Sequence, residues 1–391
     1  MKISKVVKDM PPSGIRAFFD LVMGMKDVIS LGVGEPDFVT PWNVRERAIF
    51  SIEEGYTSYT SNKGMAELRR EVSKYLKRKH NLEYDPEEEI LITVGVSEGF
   101  DLALRALITG GDKVLIPEPS YVSYGPITTL CGGKPIFIKT DQRSEFKITA
   151  RDINKFCDKS TKALILNYPN NPTGASYSKA ELKKISQAAL RHGLTVISDE
   201  IYCDLTYDFT HTPLATLPRM KEHVVYLNGF SKSYAMTGWR IGYACGPKDA
   251  IAAMTKIHQY TMMCVPTTSQ MAAIEALKNG DRSVQEMKRE YRRRREYVIS
   301  RLNEIGLSCH KPEGAFYAYP SIKTTGLSSM EFASRLLKEK NVAVVPGTAF
   351  SPVLGDLYIR ISYASSLDKL KEALDRMETF LLKIKEKRRL A

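Results

Sequence analysis

Lys232 is the residue whose surroundings in the sequence most favour chemistry. It stands in Asn228-Gly-Phe-Ser-Lys-Ser-Tyr-Ala-Met-Thr-Gly-Trp-Arg-Ile-Gly242, directly after the apolar run His223-Val-Val-Tyr-Leu227. Ser231 and Ser233 flank it, and Arg240 follows eight residues on. A loop lysine is ordinarily a solvated charge. At the end of a buried strand it loses hydration, its pKa falls, and its neutral amine becomes a nucleophile able to form a Schiff base.

Such a lysine needs partners, and other strand-end loops offer them. Val196-Ile-Ser-Asp-Glu-Ile-Tyr202 places Asp199 after an apolar run, where a carboxylate is costly to bury without a cation. Capping a helix is the alternative use for Asp199. Tyr202, three residues on, can share its face. Asn167-Tyr-Pro-Asn-Asn-Pro-Thr-Gly174 is stiffened by two prolines, which fixes the amides of Asn170 and Asn171 in place. Gly95-Val-Ser-Glu-Gly99 joins strand to helix, and helix N–H groups beside the Ser97 hydroxyl make an anion site. That turn fits neither G-x-G-x-x-G nor the Walker pattern. Pro117-Glu-Pro-Ser-Tyr121 ends on an aromatic ring that can stack on a planar ligand or pack inward. Arg360, in the alternating Leu357-Tyr-Ile-Arg-Ile-Ser-Tyr363, suits a ligand carboxylate or an edge salt bridge. Gly34 allows either a tight turn or close backbone approach to a ligand.

The elements that must position these loops follow an α/β rhythm. Seven apolar runs read as buried strands, at 90–94, 113–116, 135–139, 162–167, 194–198, 223–228 and 241–245. Helical segments at 97–109, 121–131, 149–157, 178–192 and 247–263 fall between or after them. This predicts a mainly parallel seven-stranded sheet covered by helices, with ligands bound beyond the strands' carboxyl ends. Before it stand a helix at 13–23, a short strand near 28, and helices at 41–55 and 65–80. After about 285 the pattern is α+β, with a charged helix, strand-like pieces at 314–319, 342–345 and 358–362, and helices at 328–340 and 366–387. The division predicted is a large domain over 45–285 and a smaller α+β domain built from 1–44 and 286–391.

Bulk properties narrow the function further. A net charge of +12 raises polyanion binding, but most basic residues alternate with acidic ones. The dense cluster Lys288-Arg-Glu-Tyr-Arg-Arg-Arg-Arg-Glu-Tyr297 has helical spacing. Met287, Tyr291, Val298 and Leu302 are placed for burial, which leaves the arginines as a solvated face rather than a nucleic-acid patch. The six cysteines form no C-x-x-C pair, which favours buried free thiols in a reducing compartment over disulfides or metal. No signal-peptide pattern or membrane span is expected, so the reading is a soluble cytoplasmic protein.

Taken together and in this order, the motifs resemble the class I/II aminotransferases of fold type I, which depend on pyridoxal 5′-phosphate. The prokaryotic subgroup of aspartate and aromatic aminotransferases, Bacillus-type members included, is the most similar, over roughly residues 10–385. The resemblance implies that Lys232 carries the cofactor Schiff base and then shifts the proton, that Asp199 pairs with the ring nitrogen, and that Tyr202 and Asn171 contact the ring oxygen. Tyr121 would stack on the ring. Val96, Ser97, Ser231 and Arg240 would hold the phosphate, joined by Tyr59 from a second subunit. Arg360, with Asn171 and the Gly34 backbone, would grip the substrate carboxylate.

It further implies a homodimer with shared active sites and a ping-pong cycle through a pyridoxamine form. The reaction would move an amino group from an L-amino acid (aromatic, aspartate or broad) to a 2-oxo acid such as 2-oxoglutarate, with no metal, nucleic acid or membrane partner. Ser97 stands where some aspartate-using relatives have lysine, and Tyr121 where they often have tryptophan. With Phe18, Phe316 and Tyr317, these favour aromatic or aliphatic donors. A β-lyase on the same fold is the alternative, and a non-enzymatic regulator a weaker one.

Overall fold

The computed structural model describes residues 1–12, 14 and 27–390, with side chains to 386. The helix expected at 13–23, and Phe18 with it, lies outside the described residues. Chain order begins with a short helix, Lys5–Asp9, and a short strand, β1 (Ile29–Ser30). Seven strands then build the main sheet: β2 (Ile90–Thr93), β3 (Lys113–Glu118), β4 (Lys134–Lys139), β5 (Thr161–Asn167), β6 (Thr195–Asp199), β7 (Val224–Gly229) and β8 (Gly242–Cys245). Their order is β2-β8-β7-β6-β5-β3-β4. Each expected strand is present, within a few residues of its predicted limits.

Every pairing in this sheet is parallel except those of β8, which runs antiparallel to β2 and to β7. The connection explains the reversal. Parallel neighbours need a crossover, usually a helix, whereas β7 and β8 are joined only by the loop 230–241 that carries Lys232. The end of β7 and the start of β8 are therefore side by side, Gly229 opposite Gly242, with Thr93 of β2 opposite Gly242 on the other flank. Strands β2, β8 and β7 are buried along their whole length, and β6 and β5 at all but one residue each, as helix cover on both faces requires.

The covering helices start where the sequence signals. Ser178 and Glu181 form a reciprocal capping box at Lys179–Arg191, and Thr149 and Asp152 do so at Ala150–Phe156. The helix Gly95–Leu107 packs on β7, β8 and the helix Lys248–Thr261. A helix at Thr267–Asn279 was not anticipated. It packs against Trp42–Glu53 and Ala66–His80, and Ser269, Gln270, Met271, Ala272, Ala273, Ile274, Ala276 and Leu277 are all buried.

After it, the helix Asp281–Glu304 buries Met287, Tyr291, Val298 and Leu302 as spaced. The arginine face, however, is not wholly solvated. Arg294 is 6% exposed and binds Asp37 at 2.8 and 2.9 Å, and Arg295 is 0% exposed and binds Asp208 at 2.8 Å. Acids from distant segments allow these cations inside, since an unpaired one would be costly there. The remaining strands are β9 (Tyr317–Ala318), β10 (Val342–Ala343), β11 (Val345–Pro346) and β12 (Ile359–Ser362). They form the antiparallel sheet β11-β12-β9, while β10 pairs in parallel with β1. A helix at Ser329–Lys340 and a final one at Leu367–Leu390 complete the described chain. Among the described residues no helix is long and apolar enough to cross a membrane.

Candidate active site

A cavity of about 570 Å³ opens beyond the carboxyl ends of the parallel strands. Its lining gathers Gly34, Val96, Ser97, Tyr121, Asn171, Asp199, Tyr202, Ser231, Lys232, Arg240 and Arg360 from loops far apart in the sequence. Tyr59 is not among them. It is 82% exposed on this chain, outside the cavity.

Lys232 projects from the β7–β8 loop, and its Nζ donates to the Gly34 carbonyl at 2.7 Å. It makes no ion pair among the described residues. Burial pushes its amine down to about 8; Glu35 and Asp199 oppose this, and Arg360 and Arg240 reinforce it. At neutral pH about a tenth of such amines are neutral, against about one in 3,000 for an ordinary lysine. Ala235 and Arg240, in the same loop, adopt left-handed backbone at φ 52° and 49°, a conformation costing about 1–2 kcal/mol for a non-glycine residue.

Asp199 ends β6 and is 5% exposed. Burial raises its carboxyl to about 6, although the Tyr124 hydroxyl donates to Oδ2 at 2.6 Å and the Ile201 N–H to Oδ1 at 3.2 Å. The second bond has the local form of a cap, but no helix begins at Asp199; the 3₁₀ turn that follows is Cys203–Leu205. Beside it, Asn167 donates to the Asp199 carbonyl at 3.0 Å and accepts from the Asn171 N–H at 2.9 Å, which fixes the Asn171 loop to β6. The hydroxyls of Tyr202 and Tyr317 are 2.9 Å apart.

Arg360, from the middle of β12, is 2% exposed. Its guanidinium donates to Asn171 Oδ1 at 2.9 Å and to the Gly32 carbonyl at 2.6 Å, lies over the rings of Tyr317 and Phe350, and leaves Nε without a partner. Burial pushes its pKa down. Among the described residues no carboxylate pairs with it, so an edge salt bridge does not account for its position.

Elsewhere in the cavity the helix Gly95–Leu107 presents its N-terminus, with Val96 and Ser97 in the lining. Gly95 has φ +73°, and a Cβ there would sit 2.9 Å from the Arg240 guanidinium. A Cβ at Gly242 would sit 2.9 Å from the Gly95 and Val96 backbone. Both glycines are needed for the arginine and the helix start to meet. Free helix N–H groups, two serines and an arginine are the donor set for a phosphate, a buried acid suits a protonated ring nitrogen, and an amine of lowered pKa suits an aldehyde. These residues fit pyridoxal phosphate.

Tyr124 escaped sequence reasoning. Its only signal is its spacing three residues after Tyr121, and the two rings meet edge to face at 5.6 Å. Glu35, beside Gly34, also faces the cavity and accepts from Thr237 Oγ1 at 2.9 Å; nothing in its local sequence marks it as a site residue.

The comparisons with known proteins agree with this geometry. The family model for aminotransferase class I and II matches residues 26–377. The chain is 53% identical to YugH of Bacillus subtilis (strain 168), over 97% of this chain and 98% of that protein; the name of that relative gives an aminotransferase activity provisionally and no substrate. It is 47% identical to an aspartate aminotransferase of Pyrococcus abyssi (strain GE5 / Orsay), over 95% and 96%. The crystal structure of the aromatic aminotransferase from Pyrococcus horikoshii OT3 superposes with a TM-score of 0.89 at 43% identity, covering 96% of this chain and 100% of that one.

Proposed function

This chain belongs to the class I and II aminotransferases and is a pyridoxal-phosphate-dependent transaminase, and on that premise we propose that its donors are L-amino acids with aromatic or aliphatic side chains. The acceptor is a 2-oxo acid such as 2-oxoglutarate, and the two half-reactions share one site in ping-pong order. The observation that carries this reading is Arg360: a buried guanidinium with no carboxylate partner among the described residues, in the same cavity as an amine of lowered pKa. Among the described residues the only lysines and arginines lining that cavity are Lys232, Arg240 and Arg360, and Glu35 lines it too. With Arg240 assigned to phosphate and Arg360 to the α-carboxylate, no further cation of the described lining remains for a side-chain carboxylate, which Glu35 would repel.

In this reading the cofactor is held by Asp199 at the ring nitrogen, Tyr202 and Asn171 at the ring oxygen, Tyr121 against the ring face, and Val96, Ser97, Ser231 and Arg240 at the phosphate. Bound there, it supplies an electron sink for the charge released when the substrate Cα–H bond breaks. Lys232 anchors the cofactor and then moves that proton at Nζ, a task its lowered pKa suits. Arg360 holds the substrate carboxylate as a two-pronged donor, and Asn171 Oδ1 keeps the fork oriented. Asp199, with a midpoint near 6, is about 90% ionised at neutral pH.

We further assign the cofactor domain to 45–285 and the small domain to 1–44 with 286–391. The functional unit is a homodimer in which Tyr59 reaches the phosphate of the second copy. Trp42, Phe50, Ile52, Tyr56, Tyr59 and Tyr260 are exposed on the single chain, which supports an apolar face covered by that copy. Six free thiols suit a reducing cytoplasm. A donor panel against 2-oxoglutarate, read as glutamate formed, tests the specificity. Aromatic or aliphatic donors are expected to exceed aspartate about tenfold or more in kcat/KM, the scale of one unfavourable charge contact; aspartate as the best donor overturns the assignment.

A further inference from the structure

Outside the cavity lining, three side chains of metal-binding type converge. His80 is the last residue of the helix Ala66–His80, and Cys203 and Asp204 lie in the turn after Tyr202. One ligand atom from each lies within 4.8 Å of the others. We propose that His80, Cys203 and Asp204 bind one soft divalent cation such as zinc, the Cys203 thiol releasing its proton to solvent as the metal–sulfur bond forms.

The state of each group supports this. Both ring nitrogens of His80 are buried and have no hydrogen-bond partner, whereas buried imidazoles normally find one. The neighbouring His211 does not satisfy them. Its ring meets that of His80 edge to face at 6.0 Å, and its Nε2 is taken by Glu200 Oε2 at 2.6 Å. The Tyr75 hydroxyl donates to Asp204 Oδ2 at 2.7 Å, and Asn228 Nδ2 donates to Cys203 Sγ at 3.1 Å. Outer partners of this kind orient a carboxylate and favour a thiolate, as they do around metal ligands.

The chemistry of the set selects the ion. One imidazole, one thiolate and one carboxylate match zinc or cobalt and not magnesium or calcium, and three protein ligands leave a position for water. Bonds of about 2.0–2.3 Å place neighbouring ligand atoms of a tetrahedral site about 3.3–3.8 Å apart. The trio must therefore contract by up to about 1–1.5 Å, which rotation of the half-buried His80 at its helix end can supply. Lys79 and Lys288 border the cluster and oppose a cation, so affinity falls below that of an all-cysteine structural site.

The test titrates chelator-stripped, cofactor-loaded enzyme with zinc chloride by calorimetry, and with cobalt chloride by visible absorption, in the absence of amino acids. Cys203→Ser and His80→Gln are run alongside, with circular dichroism as the folding control. The expected result is one ion per chain, tetrahedral cobalt bands with thiolate charge transfer, and binding weakened at least about tenfold in each variant. No binding by the parent enzyme, binding that both variants retain, or a cobalt spectrum without a thiolate overturns the proposal. The cobalt spectrum of the parent enzyme decides the matter even if a variant does not fold.

Discussion

Tyr124→Phe removes a single hydroxyl from the acid at the end of β6, and the structure sets the size of the effect. Asp199 stands at about 6 as the net of burial, which raises it, and the 2.6 Å bond from Tyr124, the largest opposing influence. A hydrogen bond to a charged group is worth about 1.5–3 kcal/mol, or about 1–2 pKa units at 1.36 kcal/mol per unit. The variant midpoint should therefore lie at about 7–8, with the ionised fraction at neutral pH falling from about 90% to roughly 10–50%. The assay is the affinity of cofactor-free enzyme for pyridoxal phosphate between about pH 5.5 and about pH 9, in both proteins. The ligand's own phosphate ionisation is common to both, so the ratio of dissociation constants isolates Asp199. That ratio should approach unity at the alkaline end and reach about 5–50 near pH 6. A ratio that stays constant across the range refutes the reasoning, because a packing defect would weaken binding without moving a midpoint.

Two further substitutions probe the same cavity. Arg360→Lys keeps the charge but cannot reach Asn171 Oδ1, the Gly32 carbonyl and a substrate carboxylate as a fork; the loss of one charge-assisted bond, about 1.5–3 kcal/mol, should lower kcat/KM by about 10–150-fold, and a change under about threefold refutes the assignment. Asp199→Asn tests linkage in cofactor-free enzyme. The folded carboxyl is raised from 3.8 to about 6, so its stability contribution is complete below the unfolded value and is lost as pH rises through about 6. The difference of about 2.2 units is worth about 3 kcal/mol. The asparagine variant does not titrate and should gain by that amount on the wild type between about pH 4 and about pH 7.5 in denaturant unfolding, and a flat difference would contradict the burial argument.

The sheet was legible because its strands are covered on both faces and so appear as apolar runs bounded by turn residues. The loops at their ends could be read for the same reason: Asp199, Asn171 and Lys232 are polar residues that interrupt or follow apolar stretches. Tyr124 was not legible, since a lone aromatic at a helix entry carries no periodic signal and its acceptor is 75 residues away. The helix Thr267–Asn279 is buried on most sides and so lacks the one-sided pattern that marks a surface helix. Arg294 and Arg295 looked solvated because the acids that draw them inward, Asp37 and Asp208, lie far off in the sequence. Tyr59 stands apart from the cavity, and nothing in one chain's sequence or fold brings it closer.

The carbonyls of Gly32 and Gly34 bear on how the molecule folds. Lys232 donates to one across 198 residues of sequence, and Arg360 to the other across 328. Contacts that close loops of this length gain nothing until the intervening chain is ordered. The segment around Gly32 and Gly34, the β7–β8 loop and β12 must therefore all be in place before both contacts can form, and displacing that one segment would strip Lys232 and Arg360 of a backbone acceptor at once.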